Sequence, residues 1–249
     1  MKINYIHTEA IHNPAAAAEV LPCIFHMVKP QSVADVGCGT GSWLKVAREL
    51  GATKITGIDG IHVDRSMLCI PEESFIQHDL RLPIQAGAKY DLAICLEVAE
   101  HLPEKDAEHI VSMLTGFSDI ILFSAGIPGQ GGQFHINEQW PAYWQAKFKA
   151  HGFLAIDNLR PLFWDNAKVD WWYRQNMLLY VKEELVPLLG FRASAVVPAY
   201  VHPELLQLKL EMQQESQRHI SYLEDIISKE LNHPRVVPAF RRLIKALIR

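Results

Sequence analysis

Through the first two thirds of the chain, short apolar runs rich in β-branched residues alternate with stretches whose apolar positions recur every three or four residues. That order predicts parallel strands joined by crossover helices. An opening helix is expected over Ala15–Val28, with Pro14 at the first turn, where proline is tolerated. Strands are expected at Ser32–Val36, Lys54–Ile58, Ser74–Gln77, Tyr90–Cys95 and Asp119–Ser124, separated by helices at Ser42–Leu50, Val63–Leu68 and Lys105–Leu114. After a glycine-rich loop, Gly126–Gly132, the pattern predicts a helix over Trp140–His151 and two last strands, Phe153–Leu159 and Asn176–Lys182, close enough in order to pair antiparallel at an edge. The expected fold is therefore α/β: a doubly wound, mostly parallel seven-stranded sheet with an antiparallel edge hairpin. The sequence contains no internal repeat.

From Pro203 the texture becomes polar and helix-favouring, which divides the chain into a domain over 1–202 and a helical appendage over 203–249. Apolar residues recur at Leu205, Leu208, Met212, Ile220, Leu223 and Ile227, but the spacing breaks around Gln213–Arg218, against a sustained coiled coil. The last piece sets Phe240, Leu243, Ile244, Leu247 and Ile248 on one helical face with basic residues around the rest. Such a face suits docking on the domain or on a second subunit, giving a homo-oligomer, or peripheral contact with an anionic membrane surface. Docking is favoured, because eleven residues make only a marginal helix alone.

Composition narrows the class. The 249 residues carry 24 basic and 28 acidic side chains, net −4; five of the basic residues lie in Arg235–Arg249 with no acid among them, which leaves −9 on residues 1–234. So acidic a body is a poor non-specific binder of nucleic acid. No apolar run approaches the ~20 residues of a membrane span, and the first residues lack the order of a signal peptide, so a cytoplasmic protein is expected. Cys23, Cys38, Cys69 and Cys95 are too scattered for a zinc or disulfide framework and read as buried thiols.

The most informative stretch is VADVGCGTGSW, Val33–Trp43, where an apolar strand enters a turn holding Gly37, Gly39 and Gly41 and a helix follows at once. Glycines let backbone approach a ligand, and the helix start offers unpaired N–H groups. A dinucleotide fingerprint would need its third glycine where this chain has Ser42. Instead, Asp59 in ITGIDG ends the second strand, where a carboxylate can accept both hydroxyls of a ribose, and Asp79 in QHDL ends the third, where it can accept an adenine amino group.

Taken in order, DVGCGTGSW, GIDG, HDL and YDLAICLEVAEHLP resemble the successive motifs of the class I S-adenosylmethionine-dependent methyltransferases, over roughly Val33 to Leu102. The resemblance implies a Rossmann-like domain with S-adenosylmethionine as cofactor. Its cofactor residues would be Gly37, Cys38, Gly39, Gly41, Asp59, Gly60, Asp79 and Leu80, with Leu96 near the methionine portion.

Methyl transfer to oxygen needs the hydroxyl proton removed or acidified, by a positioned histidine or by a divalent cation. In CLEVAEHLP a helix would set Glu97, Glu100 and His101 on one face, a group able to hold Mg²⁺, Mn²⁺ or Zn²⁺. His135, in GGQFHINEQW, falls in the loop after the fifth strand, at the same sheet edge. The E-x-x-E-H with a later lone histidine resembles the metal site of small-RNA 3′-terminal 2′-O-methyltransferases, and E-x-x-E-H alone occurs in ubiquinone-pathway O-methyltransferases. On that similarity Glu97, Glu100, His101 and His135 would be ligands; metal-free relatives also carry E-x-x-E-H, with the acid capping the helix and the histidine packed against the loop, and without a metal His135 or His101 of this chain would act as general base. The metal-free assignment is the leading one.

Acceptor contacts are expected from Asn137, Trp140, Tyr143 and Trp144 and, in FWDNAKVDWWYRQN, from Trp171 and Arg174: flat aromatic faces with hydrogen-bonding neighbours suit a sugar or another polyhydroxylated small molecule. The pattern is similar to methyltransferases of bacterial glycan and natural-product pathways. Methylation of an RNA 3′ end, or a cofactor-binding subunit whose catalytic partner lies elsewhere, are the alternatives.

Overall fold

The computed structural model of the protein describes residues 14–84, 87 and 89–231, which fall into two units divided after His202. In the first unit α1 (Ala15–Val28) leads into β1 (Ser32–Val36), then α2 (Ser42–Glu49), β2 (Lys54–Asp59), β3 (Phe75–Gln77), β4 (Leu92–Leu96), α3 (Ala107–Phe117) and β5 (Ile120–Ser124). The run continues with α4 (Pro141–Ala150), β6 (Phe153–Ile156), α5 (Leu159–Phe163), α6 (Trp171–Asn176) and β7 (Leu178–Lys182). The second unit holds α7 (Pro203–Leu231), which runs unbroken through Gln213–Arg218 where the apolar spacing lapses. The basic amphipathic piece from Phe240 lies outside the described residues.

All seven strands form one sheet in the order β3-β2-β1-β4-β5-β7-β6. β1, β2, β3, β4 and β5 are mutually parallel, with Val33 opposite Ile55 and Leu92, and Ala93 opposite Ile121. β7 is the antiparallel member, paired on one side with β5 and on the other with β6. The expected antiparallel pair is thus present, but β7 is inserted beside β5, leaving β6 at the edge. Strand order reverses between β1 and β4, and in sheets of this kind the crevice outside the carboxyl ends at that point is where ligands bind.

Because successive strand residues face opposite sides, the sheet is covered twice. Val33, Leu92, Ile94, Leu122 and Leu179 pack under α1 and α2, while Ala34, Ala93, Ile121, Phe123 and Tyr180 pack under α3 and α4. Local differences from the sequence pattern have local causes. The Val63–Leu68 helix is replaced by two short 3₁₀ turns, Arg65–Met67 and Glu72–Ser74, the first capped by the Asp64 carboxylate on the Ser66 N–H. α3 starts at Ala107 after a 3₁₀ turn that follows Pro103. Asn176 belongs to α6 and Leu159 to α5, so both final strands are shorter than the apolar runs suggest.

Two buried polar features stand out. Arg160 on α5 is fully buried; its Nε and Nη2 donate to Asp157 Oδ1 and Oδ2 at 2.8 and 2.5 Å, and its Nη1 to the carbonyls of Pro198 and Gln175 at 2.9 and 3.3 Å. Tyr180 on β7 stacks on Phe148 with ring centroids 3.9 Å apart, and its buried hydroxyl has no hydrogen-bond partner. An unpaired buried hydroxyl carries a desolvation cost with no return. Tyr180→Phe is therefore expected to stabilise the domain by about 1 kcal/mol in equilibrium denaturant unfolding; a loss of stability would mean that the hydroxyl is satisfied.

Candidate active site

β1 delivers the chain into the glycine turn at the carboxyl edge of the sheet. Gly37 has φ +79°, and a Cβ there would lie 2.2 Å from a Val98 methyl, so neither the conformation nor the space admits a side chain. Gly41, at φ +82°, starts α2. The turn is tied to the end of β2: the Gly39 N–H donates to Asp59 Oδ2 and the Gly60 N–H to Asp59 Oδ1, each at 2.6 Å. The His62 ring reaches the same carboxylate, Nε2 to Oδ1 at 3.3 Å, and this contact raises the imidazole pKa above its ordinary value despite partial burial. Burial, with the charge of Asp59 nearby, pushes Asp35 well above the usual carboxylate range. The Cys38 thiol, also pushed up by burial, points at the Gly39 carbonyl as a packing group.

Asp79 follows β3 and is engaged by Arg81, whose Nε and Nη2 donate to its two oxygens at 2.8 and 2.6 Å; that pairing lowers its pKa to about 2, so it stays ionised. Leu80 and Leu96 are buried, one after β3 and one ending β4. The cofactor residues expected from the sequence thus lie at the carboxyl ends of the first four strands in the sheet's chain order.

Beyond β4 the chain does not form the expected α-helix. Glu97 takes a left-handed conformation, φ +54°, before a single 3₁₀ turn, Ala99–His101. Its carboxylate accepts from Gln130 Nε2 at 2.7 Å and Asn176 Nδ2 at 3.1 Å, and its N–H donates to Ser124 Oγ at 3.1 Å. The four-ligand expectation is narrowed accordingly: among the described residues the cation-capable group is Glu100, His101 and His135, with ligand atoms all within 4.8 Å of one another, and Glu97, whose carboxylate accepts from the two amides, is not part of it.

Glu100 is fully buried and neither of its side-chain oxygens has a hydrogen-bond partner. Burial, reinforced by the Glu97 charge, pushes its pKa well up. His101 stands edge-on to His135, ring centroids 4.8 Å apart, and burial together with His135 lowers its pKa to about 4, which leaves it neutral near pH 7. His135 has Nε2 4.0 Å from Glu100 Oε1 and Nδ1 3.0 Å from Glu138 Oε1. Glu138 is itself pinned by the N–H groups of Gly129 and Gly131, at 2.7 and 2.6 Å, so a carboxylate anchored in the glycine-rich loop sets the orientation of the imidazole. The His135 loop is stitched to the turn after β4, since the N–H groups of Ile136 and Asn137 both donate to the Glu100 carbonyl, at 2.9 and 3.0 Å. Two carboxylate oxygens buried without partners are costly, and a divalent cation between Glu100 and the two imidazoles would satisfy them; the residues fit such an ion.

The expected acceptor residues separate. Asn137 is buried beside the Glu100 turn, accepting from Gln139 Nε2 at 3.0 Å while its own amide nitrogen has no partner. Trp140 is exposed just before α4, Tyr143 is half-buried under the Lys147 ammonium, and Trp171 starts α6 edge-on to Trp172. Two assignments are corrected. Trp144 lies in the core against Phe123, because positions 141, 144 and 148 of α4 face the sheet. Arg174 is buried and donates to the Trp164 carbonyl at 3.0 Å, a tie between α6 and the loop before it. Glu138, Gln130 and Asn176 are the site residues that patterning missed. The signal for Glu138 was its position three residues after His135; Gln130 and Asn176 meet Glu97 only through the fold.

Residues 9–117 match the family described as "Methyltransferase domain". The ubiquinone biosynthesis O-methyltransferase of Pasteurella multocida is 32% identical over 92 residues, covering 30% of this chain and 37% of that protein, so the chain spans well under half of that relative's length. Among solved structures, Streptomyces venezuelae DesVI superposes with a TM-score of 0.51 at 14% identity, covering 71% of this chain and 99% of that one. CalS10, a SAM-bound amino pentose methyltransferase from Micromonospora echinaspora, gives 0.51 at 14% identity, covering 73% and 100%. The seven-stranded sheet, in the order β3-β2-β1-β4-β5-β7-β6, thus shares the fold of these methyltransferases, and residues 9–117 match the methyltransferase domain family within it.

Proposed function

We propose that the protein transfers the methyl group of S-adenosylmethionine to a hydroxyl of a sugar-containing or other polyhydroxylated small molecule. One observation carries this reading: an imidazole, His135, oriented by a fixed carboxylate and set among buried titratable groups at the sheet edge that also carries the glycine turn. Support for oxygen as the acceptor comes from the ubiquinone O-methyltransferase similarity and from the presence of a base.

In the tautomer that donates from Nδ1 to Glu138, His135 offers Nε2, on the Glu100 side of the ring, as the proton acceptor. As the acceptor oxygen attacks the sulfonium methyl in line, the O–C bond forms and the C–S electron pair returns to sulfur, leaving S-adenosylhomocysteine. The hydroxyl proton passes to His135 Nε2 and from there to solvent. In this reading Asp59 fixes the nucleoside through its ribose, and Trp140, exposed beside the His135 loop, would contact the acceptor.

A second reading is favoured by the unpartnered oxygens of Glu100. Here Glu100, His101 and His135 would hold a divalent cation, which would supply Lewis acidity toward the acceptor hydroxyl. Glu138 would then orient a ligand instead of a base.

The test is calorimetry with S-adenosylhomocysteine, followed by a screen of hydroxylated acceptors with and without EDTA. Binding and methyl transfer are expected, with turnover unchanged by the chelator. Turnover lost to EDTA and restored by Mg²⁺ or Mn²⁺ would replace the first reading with the second. Preference for a nicotinamide nucleotide, or binding without methylation of any hydroxyl, would remove both.

A further inference from the structure

The carboxylate that ends β2 is unusually crowded. Asp59 is buried, with Gly39 donating to one oxygen and Gly60 to the other, and the His62 imidazole standing 3.3 Å from that second oxygen. Each oxygen accepts about two hydrogen bonds. Oδ1 is therefore filled by Gly60 and His62, whereas Oδ2 keeps one acceptor position beyond Gly39. A ribose diol that gave both hydroxyls to this carboxylate would have to displace the imidazole.

The ring is where it is because residue 60 has no side chain. A Cβ on Gly60 would lie 2.7 Å from both Cε1 and Nδ1 of His62. The imidazole occupies the space a side chain at position 60 would take, and with 31% of its surface exposed it presents an edge outward beside the carboxylate. Ile61, between them, is turned out to solvent, 84% exposed, and leaves this rim to the histidine.

We propose that the ribose of the bound nucleoside is recognised by Asp59 and His62 jointly, with the imidazole supplying one of the two polar contacts that an unshared carboxylate would make. The inference rests on the cofactor reading above and deepens it. It makes Gly60 a specificity residue through what it leaves empty, since only a residue without Cβ lets the imidazole reach Asp59.

The experiment measures binding of S-adenosylhomocysteine and of its 2′,3′-dideoxy analogue to the full chain and to three variants, with melting curves alongside. His62→Ala should weaken S-adenosylhomocysteine on the order of tenfold, the size of one hydrogen bond to a polar or charged group. It should leave the weaker dideoxy ligand unchanged. His62→Gln, which keeps a donor, should recover most of the loss. Gly60→Ala retains the imidazole but pushes it off the carboxylate, and should reproduce the loss at unchanged melting temperature. Equal binding by wild type and His62→Ala, or an equal penalty on both ligands, overturns the joint recognition while leaving the methyltransferase reading intact. A wild-type chain that ignores S-adenosylhomocysteine overturns that reading and this inference with it.

Discussion

Replacing His135 by alanine should lower kcat/KM for methyl transfer by about 10²–10⁴, the usual worth of a positioned general base, while S-adenosylhomocysteine affinity stays within about twofold. The separation follows from placement. The imidazole lies on the loop after β5 and touches Glu138 and His101, whereas the residues proposed to hold the nucleoside, the glycine turn and Asp59, are tied to one another at the ends of β1 and β2. Glu138→Gln should show a smaller drop in the same direction, because the ring keeps its chemistry and loses its fixed orientation. Steady-state kinetics beside calorimetry decides the matter: full turnover in His135→Ala would clear the histidine of any part in proton removal or in holding a cation.

The largest effect on stability is expected at a position remote from the chemistry. Arg160→Met should cost roughly 3–5 kcal/mol, because it strands the Asp157 carboxylate and the carbonyls of Pro198 and Gln175 without their donor. A buried ion pair is only weakly favourable compared with an apolar pair of similar volume, but removing one partner leaves a charge in low dielectric. The double variant Arg160→Met, Asp157→Leu should therefore recover much of the loss. Chemical denaturation of the two variants supplies the comparison, and a double variant as unstable as the single one would place the cost in packing around Tyr200, over whose ring the guanidinium sits at 4.5 Å.

How much of this was readable in the sequence depended on the range of the interaction. The opening helix, the succession of strands along the chain up to β5 and the glycine turn are encoded by neighbours, through apolar period and by residues that alone fit a turn, as Gly37 does at φ +79°. Glu97 was misassigned because spacing in E-x-x-E-H implies a shared helical face, while the actual backbone turns left-handed at Glu97 and hands its carboxylate to Gln130 and Asn176, 33 and 79 residues away. Trp144 and Arg174 looked like cleft residues by type, but type does not say which way α4 and α6 face the sheet. Glu138 was in plain view beside His135, and its role became apparent only once the N–H groups of Gly129 and Gly131 were seen to hold it.

The insertion of β7 between β5 and β6 has a bearing on biosynthesis. In the finished sheet β5 and β6 have a full strand between them, and the residues that fill that place, Leu178–Lys182, are made last of the seven strands. Until then a growing chain shows two hydrophobic ladders with unpaired amides and carbonyls, the form of surface that recruits stray strands from other molecules. Nascent chains arrested before Leu178 are the species on which a chaperone's protection would count most.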